Sequence, residues 1–188
     1  MSRDGGHAPG ARRLGWRCAA VLLLCGACVA APDTRVSEQA FRLLLPGAWS
    51  ARRDATAPLW VFRSADHPEQ LTVTLLRAAE PLAPDEMATT LDELCKRRRE
   101  VEVMAASSPV LMTEVERGTR GDALVARYEG VETTGSRWST TMVVVTPELA
   151  AVIYFEHLGK RDESAAARAQ RALDSVVVSP DRPGVVAP

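Results

Sequence analysis

Trp138-Ser139-Thr140-Thr141-Met142-Val143-Val144-Val145-Thr146-Pro147-Glu148-Leu149-Ala150-Ala151-Val152-Ile153-Tyr154-Phe155 reads as two strands joined by a tight turn. On the first, Trp138, Thr140, Met142 and Val144 recur with a period of two, the spacing that puts side chains on one face of a strand. Thr146-Pro147-Glu148 reverses the chain. Ala151-Val152-Ile153-Tyr154-Phe155 then has no polar face at all. A strand apolar on both sides belongs at the centre of a sheet and needs a covering layer above and below. The rest of the chain must therefore supply further strands and two covering layers.

Upstream, Leu124, Ala126 and Tyr128 alternate along another strand, joined to Trp138 through a hairpin turn at Thr133-Thr134-Gly135-Ser136. Val110–Val115 reads as a strand closed by Gly118–Gly121. Earlier still, Leu71, Val73 and Leu75 alternate with Thr72, Thr74 and Leu76, and Leu59-Trp60-Val61-Phe62-Arg63 and Phe41-Arg42-Leu43-Leu44-Leu45 read as strands. The last of these is stopped by the turn signal Pro46-Gly47. Between these groups lies a helix. Pro84 suits the first helical turn, Asp85 and Glu86 favour its positive end, and Met87, Leu91, Leu94 and Cys95 share one buried face. The helix is expected to run from Pro84 to Glu100, with Lys96-Arg97-Arg98-Arg99 in its last turn, where cations complement the helix dipole. A second helix, capped by Asp162, presents Ala166, Ala169 and Leu173 inward and leads into a short strand at Val176-Val177-Val178. The predicted class is α+β: an antiparallel sheet of about six to eight strands packed between helices, an αβα sandwich.

The domain spans residues 40–179. Residues 1–30 read as a signal peptide: Arg3, Arg12, Arg13 and Arg17 precede an apolar run from Cys18 to Ala31 that is short for a membrane span. Two ends of the leader stand open. Cys25-Gly26-Ala27-Cys28 resembles a lipobox, which makes Cys28 the lipidation site, although Cys25 stands where Leu is usual. Cleavage after Cys28-Val29-Ala30 also fits. Residues 31–39 read as a polar tether and 180–188 as a flexible tail. Either leader end places the domain on the periplasmic side of a bacterial cell envelope, lipid-anchored or soluble.

The leader holds four of the 23 basic residues and one of the 24 acidic ones, which leaves 19 and 23 beyond it, a net charge of −4. A mildly acidic domain lacks the dominant basic surface that nucleic-acid binding needs. It gains nothing from an anionic membrane either, so membrane attachment would come only through lipid on Cys28. Cys95 is the one cysteine in the domain, so an internal disulfide is excluded and the fold rests on its core.

Phe41-Arg42-Leu43-Leu44-Leu45-Pro46-Gly47-Ala48-Trp49 near the start and Leu173-Asp174-Ser175 at the close carry a family resemblance. With the order of elements between them, they resemble the PsbP/Mog-like superfamily, particularly its DcrB-type bacterial branch. The resemblance covers residues 40–179 and includes no catalytic motif. It implies a sheet packed between helices and a role as a small binding, chaperone or assembly module. Several exported members are lipoproteins, and some similar domains are immunity proteins against secreted toxins.

No Gly-x-Ser-x-Gly elbow, phosphate-binding Gly loop or His-Glu-x-x-His helix occurs in the sequence. His67 and His157 lack Cys or carboxylate neighbours at ligand spacing, so no metal site and no cofactor are expected. Asp85/Glu86 and Asp92/Glu93 are adjacent on a helix and point about 100° apart, a solvated face and not an acid–base pair. Cys95 falls beside Leu91 and Leu94 and reads as a small buried hydrophobe. Trp49, Trp60 and Trp138 are needed mainly as core in a chain only 5% aromatic.

The expected function is therefore non-enzymatic: an exported binding or accessory protein that recognises a protein partner. Arg137, Trp138, Lys96 and Arg97 are its candidate contact residues. Alternatives are an immunity protein neutralising a toxin and a small-ligand carrier using the concave sheet face.

Overall fold

The computed structural model describes residues 32–38 and 40–179. The segment read as a signal peptide, Cys28 within it, and residues 180–188 lie outside the described residues. Eleven strands and two helices follow in the order β1 (Thr34–Ser37), β2 (Phe41–Leu45), β3 (Trp49–Arg53), β4 (Leu59–Ser64), β5 (Glu69–Arg77), α1 (Pro84–Ala105), β6 (Val110–Met112), β7 (Glu116–Arg120), β8 (Ala123–Glu132), β9 (Arg137–Val145), β10 (Leu149–Leu158), α2 (Glu163–Asp174) and β11 (Val177–Val178).

Eight strands form one antiparallel sheet in the order β3-β4-β5-β10-β9-β8-β6, with β7 also paired to β8. β10, the strand with no polar face, lies in the middle. Ile153 sits between Val73 of β5 and Met142 of β9. β1, β2 and β11 form a separate three-stranded sheet. The segment read as a tether thus contains a strand, Thr34–Ser37, bonded along its length to Leu45–Arg42. Backbone pairing holds it there, with Val36 packed on the core and Thr34 Oγ1 bonded to the Gly47 carbonyl.

The period of two divides the core. Trp138, Met142 and Val144 of β9, with Ile153 and Phe155 of β10 and Leu71, Val73 and Leu75 of β5, join Phe41, Leu43 and Leu45 of β2 and the alanine face of α2 in one cluster. The residues between them face the other way. Val143, Val145 and Ala150 pack with Ala126 against Met87, Leu91 and Cys95 of α1. Hence α1 covers one face of the large sheet, and α2 with the small sheet covers the other. Full burial of each Leu, Ile or Phe contributes roughly 1.5–3 kcal/mol.

Ala165, Ala169 and Ala172 of α2 are buried, and their small size lets the helix axis approach the sheets closely. The Asp162 carboxylate caps the helix by accepting from the Ala165 N–H at 2.7 Å. The Leu173-Asp174-Ser175 motif has a separate task for each residue. Leu173 is fully buried. Asp174 accepts from Arg127 at 2.8 Å and Arg120 at 3.2 Å, which ties α2 to β8 and β7. Ser175 Oγ accepts from the Leu44 N–H at 2.7 Å and continues the ladder that β11 makes with β2.

Two expectations need correction. The helix α1 does not end at Glu100 but continues to Ala105, so Lys96–Arg99 sit within it and its last turn carries no basic residue. The added turn is held by Glu102, a buried carboxylate with partners on the sheet. Gly118 lies inside β7, where a turn was expected; the reversal comes at Gly121, whose φ of 63° suits glycine.

Candidate functional site

The four candidate contact residues do not form one patch. Trp138 is 1% exposed: alternation on β9 aims it into the core, where its ring packs against Phe155 at 5.9 Å. It cannot be a contact residue. Arg137, one position earlier, faces the α1 side. There its guanidinium lies 3.0 Å from Glu132 and 3.7 Å from Glu156, and it donates to the Glu102 carbonyl at 3.4 Å. These bonds occupy Arg137 as a brace. Lys96 and Arg97 are exposed on α1, with Arg97 paired to Glu93 at 2.7 Å.

Below α1 the sheet presents a row formed by Tyr128, Thr141 and Tyr154, one residue from each of β8, β9 and β10. The Arg99 guanidinium stands over the Tyr128 ring at 5.4 Å and that of Arg98 over the Tyr154 ring at 3.7 Å. Half of the basic run is therefore spent on aromatic faces. Glu102, 2% exposed, closes the arrangement: Oε1 accepts from Tyr128 and Thr141, both at 2.9 Å, and Oε2 accepts from Ser139 at 3.0 Å. Gly130 leaves the space for it, since a Cβ there would meet Ser139 Oγ at 2.9 Å and Glu102 Oε2 at 3.0 Å. Burial, reinforced by the Glu102 charge, pushes the Tyr128 phenol far up; burial and Glu156 do the same to Tyr154. Both phenols stay protonated as donors. The cluster is sealed from solvent and works as a clamp on α1. Sequence reasoning missed it, although Glu102 follows Leu91 and Cys95 on the same helix face.

Where α1 stops, the sheet face opens. Arg98 on Tyr154 marks the border, and beyond β10 the same face of β5, β4 and β3 is uncovered. Register aligns Gln70 with Arg63 and Ser50, Thr72 with Val61 and Arg52, and Thr74 with Leu59. All of these are half-buried or exposed. Ser50, Arg52, Leu59, Val61 and Arg63 line a depression of about 440 Å³ on it, with the Asp54 carboxylate at its rim turned to the Thr56 and Ala57 N–H groups. An apolar floor of Leu59 and Val61 thus lies between two exposed guanidinium groups. Leu94 and Arg97 of α1 line a second recess of about 350 Å³ on the helix.

Other polar groups are committed to structure. His157, on the α2 side, has a buried Nδ1 that makes no hydrogen bond among the described residues and lies 3.4 Å from Glu69 Oε1, while Arg168 of α2 holds that carboxylate at 2.5–3.2 Å. Cys95 is buried, and desolvation with the Asp92 charge pushes its thiol up to about 11. Among the described residues no three His, Cys, Asp or Glu side chains are placed to hold a metal ion, and no helix is long and apolar enough to cross a membrane.

No family model matches the sequence, and no curated protein matches it. Solved structures do. Cyanobacterial PsbP (CyanoP) from Synechocystis sp. PCC 6803 superposes with a TM-score of 0.62 at 16% identity, over 84% of this chain and 99% of that one. LpqN of Mycobacterium tuberculosis, described as involved in cell envelope biogenesis, gives 0.54 at 14% identity, over 79% and 91%. A protein from Bacteroides thetaiotaomicron VPI-5482 gives 0.51 at 13% identity; the match covers 81% of this chain but half of that one. The chain has a PsbP-like fold, an α+β domain with one sheet face left half open.

Proposed function

We propose that this protein is a non-enzymatic accessory protein of the bacterial cell envelope that binds a protein partner on the open face of β3–β5. The uncovered sheet half carries the proposal. Arg52 and Arg63 stand exposed on either side of an apolar floor, on a domain whose net charge beyond the leader is −4. A local basic patch on an acidic domain fits an acidic segment of the partner, with Leu59 and Val61 taking its apolar side chains. The leader, ending at Cys28 or beyond Ala30, and the likeness to LpqN support the envelope assignment.

The test is position-specific cross-linking in the native envelope. A photoreactive residue at Val61 or Thr72 should capture one partner, and the same residue at Lys96 on α1 should not. Reversing both charges, Arg52→Glu with Arg63→Glu, should abolish capture without unfolding the domain. Capture from Lys96 alone, or capture unaffected by charge reversal, would refute the assignment of this face.

A further inference from the structure

On the opposite side of the same strands, where the small sheet meets the free end of the large one, lies a separate cavity of about 350 Å³. Ala40, Pro58, Trp60 and Leu75 line it, together with Glu38 and the exposed Arg53 and Arg77. Trp60 is 7% exposed, packed edge-on against Phe41 at 5.1 Å, and the Arg53 guanidinium stands 5.1 Å from its ring centre.

The indole N–H groups of the three described tryptophans differ. Trp49 donates to the Pro46 carbonyl at 2.9 Å and Trp138 to Glu129 at 3.2 Å. Trp60 Nε1 is buried with no acceptor among the described residues. A buried donor without an acceptor is unfavourable, and native proteins rarely leave one in that state. Here it belongs to a residue that lines a cavity of ligand size and carries a cation over its ring. Apolar walls, an orphaned donor and a fixed guanidinium together specify an acceptor-bearing anion with an apolar body.

We infer that this cavity binds a small amphipathic carboxylate. Its apolar body lies against Trp60 and Leu75, and its carboxylate meets Arg53, with the Trp60 N–H as second donor. With Glu38 set against Arg53 and Arg77 the lining carries one net positive charge, which suits a monocarboxylate better than a dianionic phosphate ester. This site is on the opposite face from the proposed partner surface and does not depend on it.

Proton–nitrogen correlation spectra of the purified protein provide the test, with hydrocinnamate and octanoate as probes and hydrocinnamyl alcohol as the uncharged control. The Trp60 indole signal, assigned from Trp60→Phe or from its response to Arg53→Gln should Trp60→Phe fail to fold, should move saturably while those of Trp49 and Trp138 stay. Arg53→Gln, a change at an exposed position, should weaken binding about ten-fold or more, and so should the alcohol. Failure of the Trp60 signal to move at millimolar carboxylate overturns the inference. Equal binding of alcohol and acid, or undiminished binding by Arg53→Gln, also overturns it.

Discussion

Removing the Glu102 carboxylate should destabilise the domain through the hydroxyls it holds together. In Glu102→Ala, three hydroxyls lose their shared acceptor. Ser139 has a fallback, the Gly130 carbonyl at 3.4 Å. The Tyr128 and Thr141 hydroxyls also bond each other, so one can accept from the other and one donor of the pair is left unsatisfied, at about 1–3 kcal/mol. Arg98, its guanidinium 3.4 Å from the lost carboxylate, is 23% exposed and can turn toward water. The cost is about 2–3 kcal/mol, a sizeable share of the ~5–15 kcal/mol typical of a domain. Glu102→Gln should be far milder, about 1 kcal/mol. Its oxygen can take the Oε1 place, facing two donors, while its amide faces Ser139, a hydroxyl able to accept. Urea unfolding followed by circular dichroism measures both, provided the slope is unchanged between variants. If Gln costs as much as Ala, charge and not hydrogen bonding holds the clamp, and the reasoning fails.

Ser175→Ala should cost about 1–2 kcal/mol, because the Leu44 N–H loses its 2.7 Å acceptor where β11 is too short to replace it; a urea midpoint unchanged by the substitution would refute this. Asp162→Ala should lower the midpoint at neutral pH. The Ala165 N–H first and the Ser164 hydroxyl next hold the Asp162 carboxyl below its ordinary value, so its contribution is full above the unfolded pKa. It is lost as pH falls through the folded pKa, and the gap between variant and parent should close there. Cys95 should resist alkylation by thiol reagents at pH 8 while the protein is folded and react at once when it is unfolded, since it is buried and its thiol is pushed up to about 11; rapid native labelling would show that α1 opens. Phe62→Ala, on the core face of β4, should lose about 3–5 kcal/mol of stability, whereas Val61→Asp, on the open face, should leave the midpoint nearly unchanged and abolish partner cross-linking.

The strands legible in the sequence are those that bury a face. β10 shows as an unbroken apolar run and β5 as strict alternation, because each side chain's environment is set by the large sheet and its covering layers. β1, β3 and β7 lack that signal. Every residue of β7, Glu-Arg-Gly-Thr-Arg, is exposed, and β3 is exposed after Trp49. Such edge strands are fixed by backbone bonds to β8 and β4, which any sequence can make. Periodicity also gives no partner, so nothing in Phe41–Leu45 reveals that it joins a small second sheet. Of the candidate contact residues, Arg137 and Trp138 part company for a related reason. They are neighbours in sequence, and a strand sends neighbours to opposite faces. Glu102 was hidden because a buried acid looks polar until its hydroxyl partners, 26 to 39 residues away, are brought beneath it.

The two halves of the large sheet are under different constraints. On β8, β9 and β10 both registers are covered, one by α1 and the other by α2 and the small sheet, so a substitution at most positions along them meets a packed neighbour. On β3, β4 and β5 only the register of Trp60, Phe62, Leu71, Val73 and Leu75 is core. The alternate register, Arg52, Leu59, Val61, Arg63 and Thr72, touches little beyond its own sheet. Its side chains can change chemistry without disturbing the fold, while the covered half keeps the strands straight and in register. A surface of that kind can be matched to one partner by side-chain choice alone. The Arg98 guanidinium over the Tyr154 ring is where helix cover gives out across the sheet, and the open face of β5, β4 and β3 begins beyond it.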